Sequence, residues 1–386
     1  MFSVMVPTRT RAEYLRFALK SLSTQTFQDF EVFVSDNASE DDTAQVAKEF
    51  PTLKIHYGRS AQRLSMVDSW SFALEAVLDR GTGEYIGLLA DDDAWCPNYL
   101  NQLSTVLKDD PSDIVGANFA VHREGSSVIH IQSFSREVRK YNRKDIVADL
   151  FGKKPMATTV PFPGYYFFRR DLAMEVIQRT SRLYLGTCPD MVALTLLLSK
   201  AKQMTHLHFP SWVVGNTIRS IGHSFMTGSG DAGGEFLSEF QKPADLTRLP
   251  NSLPLYTNYL SGDRMMLSET FPDLLPEYTL NLIDHFKGLW NDIQRLDLSF
   301  PKNRELSEKY FSSLNSQNQS LREDVEHWIK RRAKRAERLK DPAFVERLSR
   351  RSASRPHLQP ARDISHPGIK TIVDAARLLE TYLNSV

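Results

Sequence analysis

The residues best placed to do chemistry are three consecutive carboxylates, Asp91-Asp92-Asp93, which end the short apolar run Tyr85-Ile86-Gly87-Leu88-Leu89. Adjacent anions repel one another unless a cation intervenes. Hard oxygen ligands on a short loop are what Mg²⁺ or Mn²⁺ selects, usually with substrate phosphates completing the shell. A solvated turn that caps the following helix is the competing reading, since Asp is both a turn former and a good N-cap. Arg59 and Arg63 follow a nearby apolar run and offer contacts to phosphate or base, although a solvated loop Arg is the plainer reading of each.

The elements that must position these groups follow from periodicity. Phe2 to Val6 reads as a strand, Ala12 to Thr24 as a helix with Leu15, Ala18, Leu19 and Leu22 on one side, and Phe30 to Ser35 as a second strand. Asp41 to Phe50 reads as a helix, Leu53 to Tyr57 as a strand, Met66 to Leu78 as a helix and Tyr85 to Leu89 as the fourth strand. This β-α-β alternation predicts a mostly parallel sheet flanked by helices. Ligands of such sheets bind beyond the carboxyl ends of the strands, so the loops at Thr8, Asp36 and Asp91 should converge on one crevice. Neither the Gly-x-Gly-x-x-Gly fingerprint nor the P-loop occurs there, which argues against a dehydrogenase or a P-loop kinase.

At 386 residues the chain can hold one large domain or two moderate ones. Hydrophobic content of 41%, charged content of 25% and a net charge of +1 give no argument for nucleic acid binding. The charge is uneven: from Leu321 to Val386 there are 15 Lys and Arg against 9 Asp and Glu, so this tail carries +6 and the rest −5. Only Cys96 and Cys188 are present, which gives no disulfide framework. No signal peptide and no stretch of 18 apolar residues is visible, so the expectation is a cytoplasmic protein, with the inner face of the membrane as a site of peripheral contact.

Val6-Pro7-Thr8, Gln25-Thr26-Phe27-Gln28-Asp29-Phe30-Glu31, Val34-Ser35-Asp36-Asn37-Ala38-Ser39 and Ala90-Asp91-Asp92-Asp93, in that order, resemble the signature of family 2 inverting glycosyltransferases with the GT-A fold. The resemblance covers about residues 1 to 220 and is strongest up to Leu100. It implies a nucleotide pocket lined by Pro7, Thr8 and Arg9, with Asp36 on the base, usually uracil, Asp91 near the ribose and Asp92 on a Mn²⁺ or Mg²⁺ ion that bridges the diphosphate. Arg63 is assigned to the same pocket. Asn37 departs from the family, which usually has a second acid there, and this loosens the inference about which nucleotide binds.

The second half should face the acceptor. Asn98 to Lys108 reads as a helix, Ile114 to Val121 as a strand, and Pro161 to Arg170 as an aromatic loop and strand, suited to stacking on sugars or to the core. Inversion needs a base for the acceptor hydroxyl. Asp190, between Pro189 and an apolar helix, resembles the family's acid at that place; a capping residue looks the same. His223, in a polar loop after the strand ending at Asn216, could complete the metal shell, as a His does in some GT-A enzymes, or simply be exposed.

Thr227 to Gly234 reads as a flexible loop, and helices follow over Leu255 to Met266, Pro276 to Leu296, Glu305 to Leu314 and Leu321 to Leu339. The organisation expected is a GT-A-like domain over 1–225, with a donor half to residue 110, and a helical region over 226–386 with a basic segment at 321–355. Lys330 to Arg335, beside Val325, Trp328 and Ile329, suits either an anionic lipid surface or a solvated helix face. Ser349 to Pro367 reads as a linker and Ile369 to Leu383 as a last amphipathic helix, while a homo-oligomer contact through this region is also open. The function expected is metal-dependent, inverting sugar transfer from a nucleotide sugar, UDP-linked by the resemblance, to a saccharide or glycolipid acceptor in cell-surface polymer synthesis. A sugar nucleotidyltransferase is the rival within enzymes, and a silent GT-A-like nucleotide-binding scaffold the rival outside them.

Overall fold

The computed structural model describes residues 1–148, 166–217, 219–228, 245–299, 301–338 and 361–385, with 151, 236, 238, 239, 340, 341 and 359 as isolated additions. The aromatic loop expected at 161–165 and most of the loop expected at 227–234 lie outside the described residues. The first part alternates strand and helix: β1 (Phe2–Thr8), α1 (Ala12–Ser23), β2 (Phe30–Asp36), α2 (Thr43–Val46), β3 (Ile55–Arg59), α3 (Met66–Arg80) and β4 (Tyr85–Leu88). Strands β1, β2 and β4 are buried on both faces, which is why each reads as a continuous apolar run rather than an alternation. They pair in parallel in the order β3-β2-β1-β4, with Thr8 opposite Asp36, Asp36 opposite Arg59 and Met5 opposite Leu88. The register therefore brings the three expected loops out of one edge. Helix α2 is only four residues long, followed by a 3-10 turn at Ala47–Glu49, shorter than the helix expected up to Phe50.

Beyond β4 the sheet becomes mixed. The elements are β5 (Ala94–Trp95), α4 (Tyr99–Asp109), β6 (Ile114–Arg123), β7 (Val128–Ile131), β8 (Val138–Asn142), α5 (Arg143–Ala148), β9 (Phe167–Arg169), α6 (Arg170–Thr180), α7 (Pro189–Lys200), β10 (Gln203–Asn216) and α8 (Ile221–Thr227). Strand β9 is antiparallel to both β4 and β6 and so welds the two halves, while β10 runs parallel to β6 and antiparallel to β5 and β8. Helices α3, α6 and α7 cover one face and α1 and α4 the other, each burying its apolar stripe.

Helices α9 (Tyr256–Thr270), α10 (Leu282–Ile293), α11 (Pro301–Asn315) and α12 (Gln319–Arg338) form the C-terminal helical region. Phe286, Leu289, Tyr310, Leu314, Leu321 and Val325 make its core, whereas Tyr259, Leu260 and Leu267 of α9 pack into the same core as α7. The second of these helices starts at Leu282 rather than near Pro276, where Asn281 accepts the Asp284 N–H as its cap. Among the described residues no helix is long and apolar enough to cross a membrane.

The tail corrects one expectation. Within the stretch read as a linker, β11 (Arg362–Ser365) pairs antiparallel with β7, and α13 (Ile372–Ser385) then packs Ile372, Val373, Ala376, Leu379 and Leu383 onto Ala94, Ala120, Phe134 and Val213 of the sheet. The sequence Arg-Asp-Ile-Ser carries no apolar alternation, and only the exposed edge of β7 makes it a strand. The last helix thus belongs to the N-terminal sheet.

Candidate active site

The parallel edge carries the site. Thr8 ends β1 and donates its hydroxyl to Asp91 Oδ2 at 2.7 Å, and Asn37, just past β2, donates its N–H to the Thr8 carbonyl at 2.9 Å. Asp36, fully buried, accepts the Ser39 N–H at 2.8 Å on one oxygen and the Tyr57 hydroxyl at 2.5 Å on the other, with Arg59 Nε 4.0 Å away. Asn37 clasps the main chain of Leu64 with both ends of its amide, at 2.7 and 2.9 Å, and so fixes the segment that bears Arg63. An acid at position 37 would accept the Leu64 N–H but lose the donated bond.

Asp91 and Asp92 share one cation, Arg11, whose Nη1 lies 3.0 Å from Asp91 Oδ1 and 3.6 Å from Asp92 Oδ2. Burial works against the guanidinium charge, but the two aspartates outweigh it and raise its pKa. Even so, burial and the charge of Asp91 push Asp92 up to about 6, with Arg11 and the Thr217 hydroxyl, 3.5 Å away, opposing. Asp93, the extra acid of the run, has a different partner: its Oδ1 accepts the Gly215 N–H at 2.7 Å and ties the loop to β10. Gly215 is required there, since a Cβ would fall 1.8 Å from the Asp92 carbonyl oxygen.

Arg9 and Arg63 come together on one carboxylate. Glu239 Oε1 takes Arg9 Nη1 at 2.8 Å and Arg63 Nη2 at 2.6 Å. Pro7 precedes Thr8 in β1, opposite Ser35. His223 lies not in a loop, as expected, but in the first turn of α8, where its N–H faces the capping Ser220 hydroxyl at 3.4 Å. Burial and Arg123 lower its pKa, so the ring is neutral and able to act as a ligand. Among the described residues no three His, Cys, Asp or Glu side chains converge into a closed metal cage. A divalent cation beside phosphates needs only one or two protein carboxylates, however, and Asp92, under-compensated and held near pKa 6, has the excess charge that such an ion would relieve.

Asp190 stands in the first turn of α7 behind Pro189 and remains partly accessible. Burial raises its pKa against the pull of the Met191 N–H. A carboxyl with a raised pKa is a stronger base near neutrality than an ordinary surface Asp. Sequence reasoning missed Arg11, Tyr57, Thr217 and Glu239. Arg11 carried a weak signal, as a cation in the loop after β1; the others are brought in by distant elements.

Residues 3–176 match the family model for glycosyl transferase family 2. Over 128 residues the chain is 30% identical to the GalNAc(5)-diNAcBac-PP-undecaprenol beta-1,3-glucosyltransferase of Campylobacter jejuni, covering 32% of this chain and 40% of that protein. Over 160 residues it is 25% identical to the glycosyltransferase GlyA of Streptococcus pneumoniae, covering 40% of this chain and 22% of that one. The chain thus spans less than half the length of these two relatives. The crystal structure of S. aureus TarS 1-349 in complex with UDP-GlcNAc superposes with a TM-score of 0.49 at 15% identity, over 85% of this chain and 91% of that one. The segment that builds the parallel edge and carries Thr8, Arg11, Asp36 and Asp91 to Asp93 lies within the residues that match glycosyl transferase family 2.

Proposed function

We propose that the protein is a metal-dependent, inverting glycosyltransferase that moves a sugar from a nucleotide sugar, with UDP as carrier, to a hydroxyl of a saccharide or glycolipid acceptor. The observation that carries this reading is the convergence of Thr8, Asp36, Asp91 and Asp92 at the ends of three adjacent parallel strands, inside the family-matched segment. Asp36 would accept the imide N–H of uracil in place of the Tyr57 hydroxyl, and a buried acceptor of this kind discriminates against bases without that donor. Asp91 would face the ribose, with Pro7 and Thr8 lining the same pocket. Arg9 and Arg63, gathered by Glu239, would exchange that carboxylate for the phosphates. Asp92 would hold Mn²⁺ or Mg²⁺ with His223 as a further ligand, and the bound ion would neutralise charge on the departing diphosphate.

Asp190 would take the acceptor's proton. As its hydroxyl oxygen bonds to the anomeric carbon, the bond from that carbon to the nucleoside diphosphate breaks on the opposite face, and the proton ends on Asp190. Support for a lipid-linked acceptor is the Campylobacter relative, whose name specifies a PP-undecaprenol glycan. Such an acceptor would bring the protein to a membrane surface, and Lys330 to Arg338 of α12, an exposed band with Arg332 stacked 5.3 Å over Trp328, is suited to anionic headgroups.

The test is transfer itself. With Mn²⁺, a panel of UDP-sugars and lipid-linked glycan acceptors, UDP should be released and NMR of the product should show the anomeric configuration inverted relative to the donor. Retention would refute the role given to Asp190, and tight UDP binding without turnover on any acceptor would favour a silent scaffold.

A further inference from the structure

The turn before α7 and the acid that holds it both lie beyond the family-matched residues 3–176. Helix α7 has Cys188 at its N-cap and no side-chain cap of its own. Asp263, on α9 and 2% exposed, fills that need across the interface. Its carboxylate accepts the Thr187 N–H at 2.9 and 3.0 Å on its two oxygens, and the Cys188 N–H at 2.7 Å. Gly186, at φ +70°, lets the chain close down on this acid, since a Cβ there would sit 2.6 Å from Asp263 Oδ1. Asp190 follows two residues after Cys188, in the first turn of the helix so anchored.

We propose that Asp263 is a positioning residue for sugar transfer: it pins the turn Gly186–Cys188 and thereby sets where Asp190 meets the acceptor hydroxyl. This rests on the reading of Asp190 as the base. A buried carboxylate with three N–H contacts is an unusual feature to spend on a helix start alone, because it is expensive to bury. Burial and the neighbouring Asp190 raise Asp263 to about 7 in spite of those N–H groups. The other charged or titratable groups facing the pair are Cys188 of the turn, Tyr184 before it, Tyr256 and Arg264 of α9, and Asp292 of α10. The helical region thus contributes to the acceptor side of the site through the backbone it holds, without touching substrate.

The test is a double-mutant cycle in the full chain, with UDP release from UDP-glucose, UDP-galactose and UDP-N-acetylglucosamine as probe reactions, water as acceptor, and UDP affinity measured in parallel. Asp263→Ala should lower kcat about 10- to 100-fold with the Kd for UDP unchanged, as expected when a reacting group is misplaced by about 1 Å. Asp263→Asn, which keeps the volume and one acceptor oxygen, should recover part of the loss, and it decides the matter if the alanine variant does not fold. Asp190→Asn should cost more, and adding Asp263→Ala to it should cost nothing further, since Asp263 acts only through Asp190. A wild-type kcat for Asp263→Ala beside an inactive Asp190→Asn would overturn the proposal, as would losses that multiply in the double variant. An active Asp190→Asn would instead remove the base on which the proposal rests.

Discussion

Arg11 puts one guanidinium against two buried aspartates, which is too little positive charge for both, and Asp92 carries the deficit. A carboxyl held near 6 is protonated below that pH and then cannot hold a cation. Mn²⁺-supported binding of UDP should therefore weaken as pH falls from 7 to 5, with a midpoint near 6, while metal-free binding changes less; calorimetry at a series of pH values checks this. The linkage has the opposite sign for the protein alone. Because the folded pKa lies above the usual value of about 3.9, this group's stabilising contribution is full below that value and is lost as pH rises through about 6. Asp92→Asn should remove that slope from the thermal midpoint. At Glu239 the expectation is a gain: Glu239→Gln breaks the two ion pairs that occupy Arg9 and Arg63 and should tighten UDP binding about 5-fold, the order of a partly exposed pair. Unchanged or weaker binding would place those arginines outside the nucleotide pocket.

At the scale of elements, β10 rather than the acid loop itself fixes the acids. Gly215 lets its backbone lie against Asp92 and give its N–H to Asp93, so Gly215→Ala should cost roughly 3 kcal/mol and abolish UDP binding even though it changes no ligand group. Denaturant unfolding and UDP titration of the same variant would show both losses, and a stable variant with normal affinity would contradict this arrangement. The four parallel strands were legible because strands buried on both faces leave unbroken apolar runs, and their order in the chain placed Thr8, Asp36 and Asp91 at one edge. Strand β9 is legible in its aromatic run, whereas β5, of two residues, and β8, Val-Arg-Lys-Tyr-Asn, are not, because they exist through pairing rather than through any pattern of their own. The same holds in the site. The acids could be read from type and position, whereas Glu239 and Asp263 reach it from more than 170 and 70 residues away, respectively, from their partners Arg63 and Cys188.

Across the whole molecule, the two ends of the chain share one core. Helix α13 lies on the sheet next to β5 and β10, with Leu379 fully buried, and Glu380 accepts the Asn98 N–H ahead of α4. A chain ending at residue 360 would expose Ala94, Ala120, Phe134 and Val213 together. It should aggregate or melt well below the full protein, since each large apolar side chain uncovered costs about 2 kcal/mol. Cooperative unfolding of the truncated chain at the full-length temperature would show that α13 is an accessory. The donor site is tested by thermal stabilisation of the full chain by nucleoside diphosphates and nucleotide sugars, with and without Mn²⁺, beside Asp92→Ala. A ligand that binds the folded state alone must raise its midpoint. A shift with uridine nucleotides that grows with Mn²⁺ and is lost in Asp92→Ala is the expected result; no shift with any nucleotide, or a shift that survives the substitution unchanged, would rule out a donor site built on Asp92.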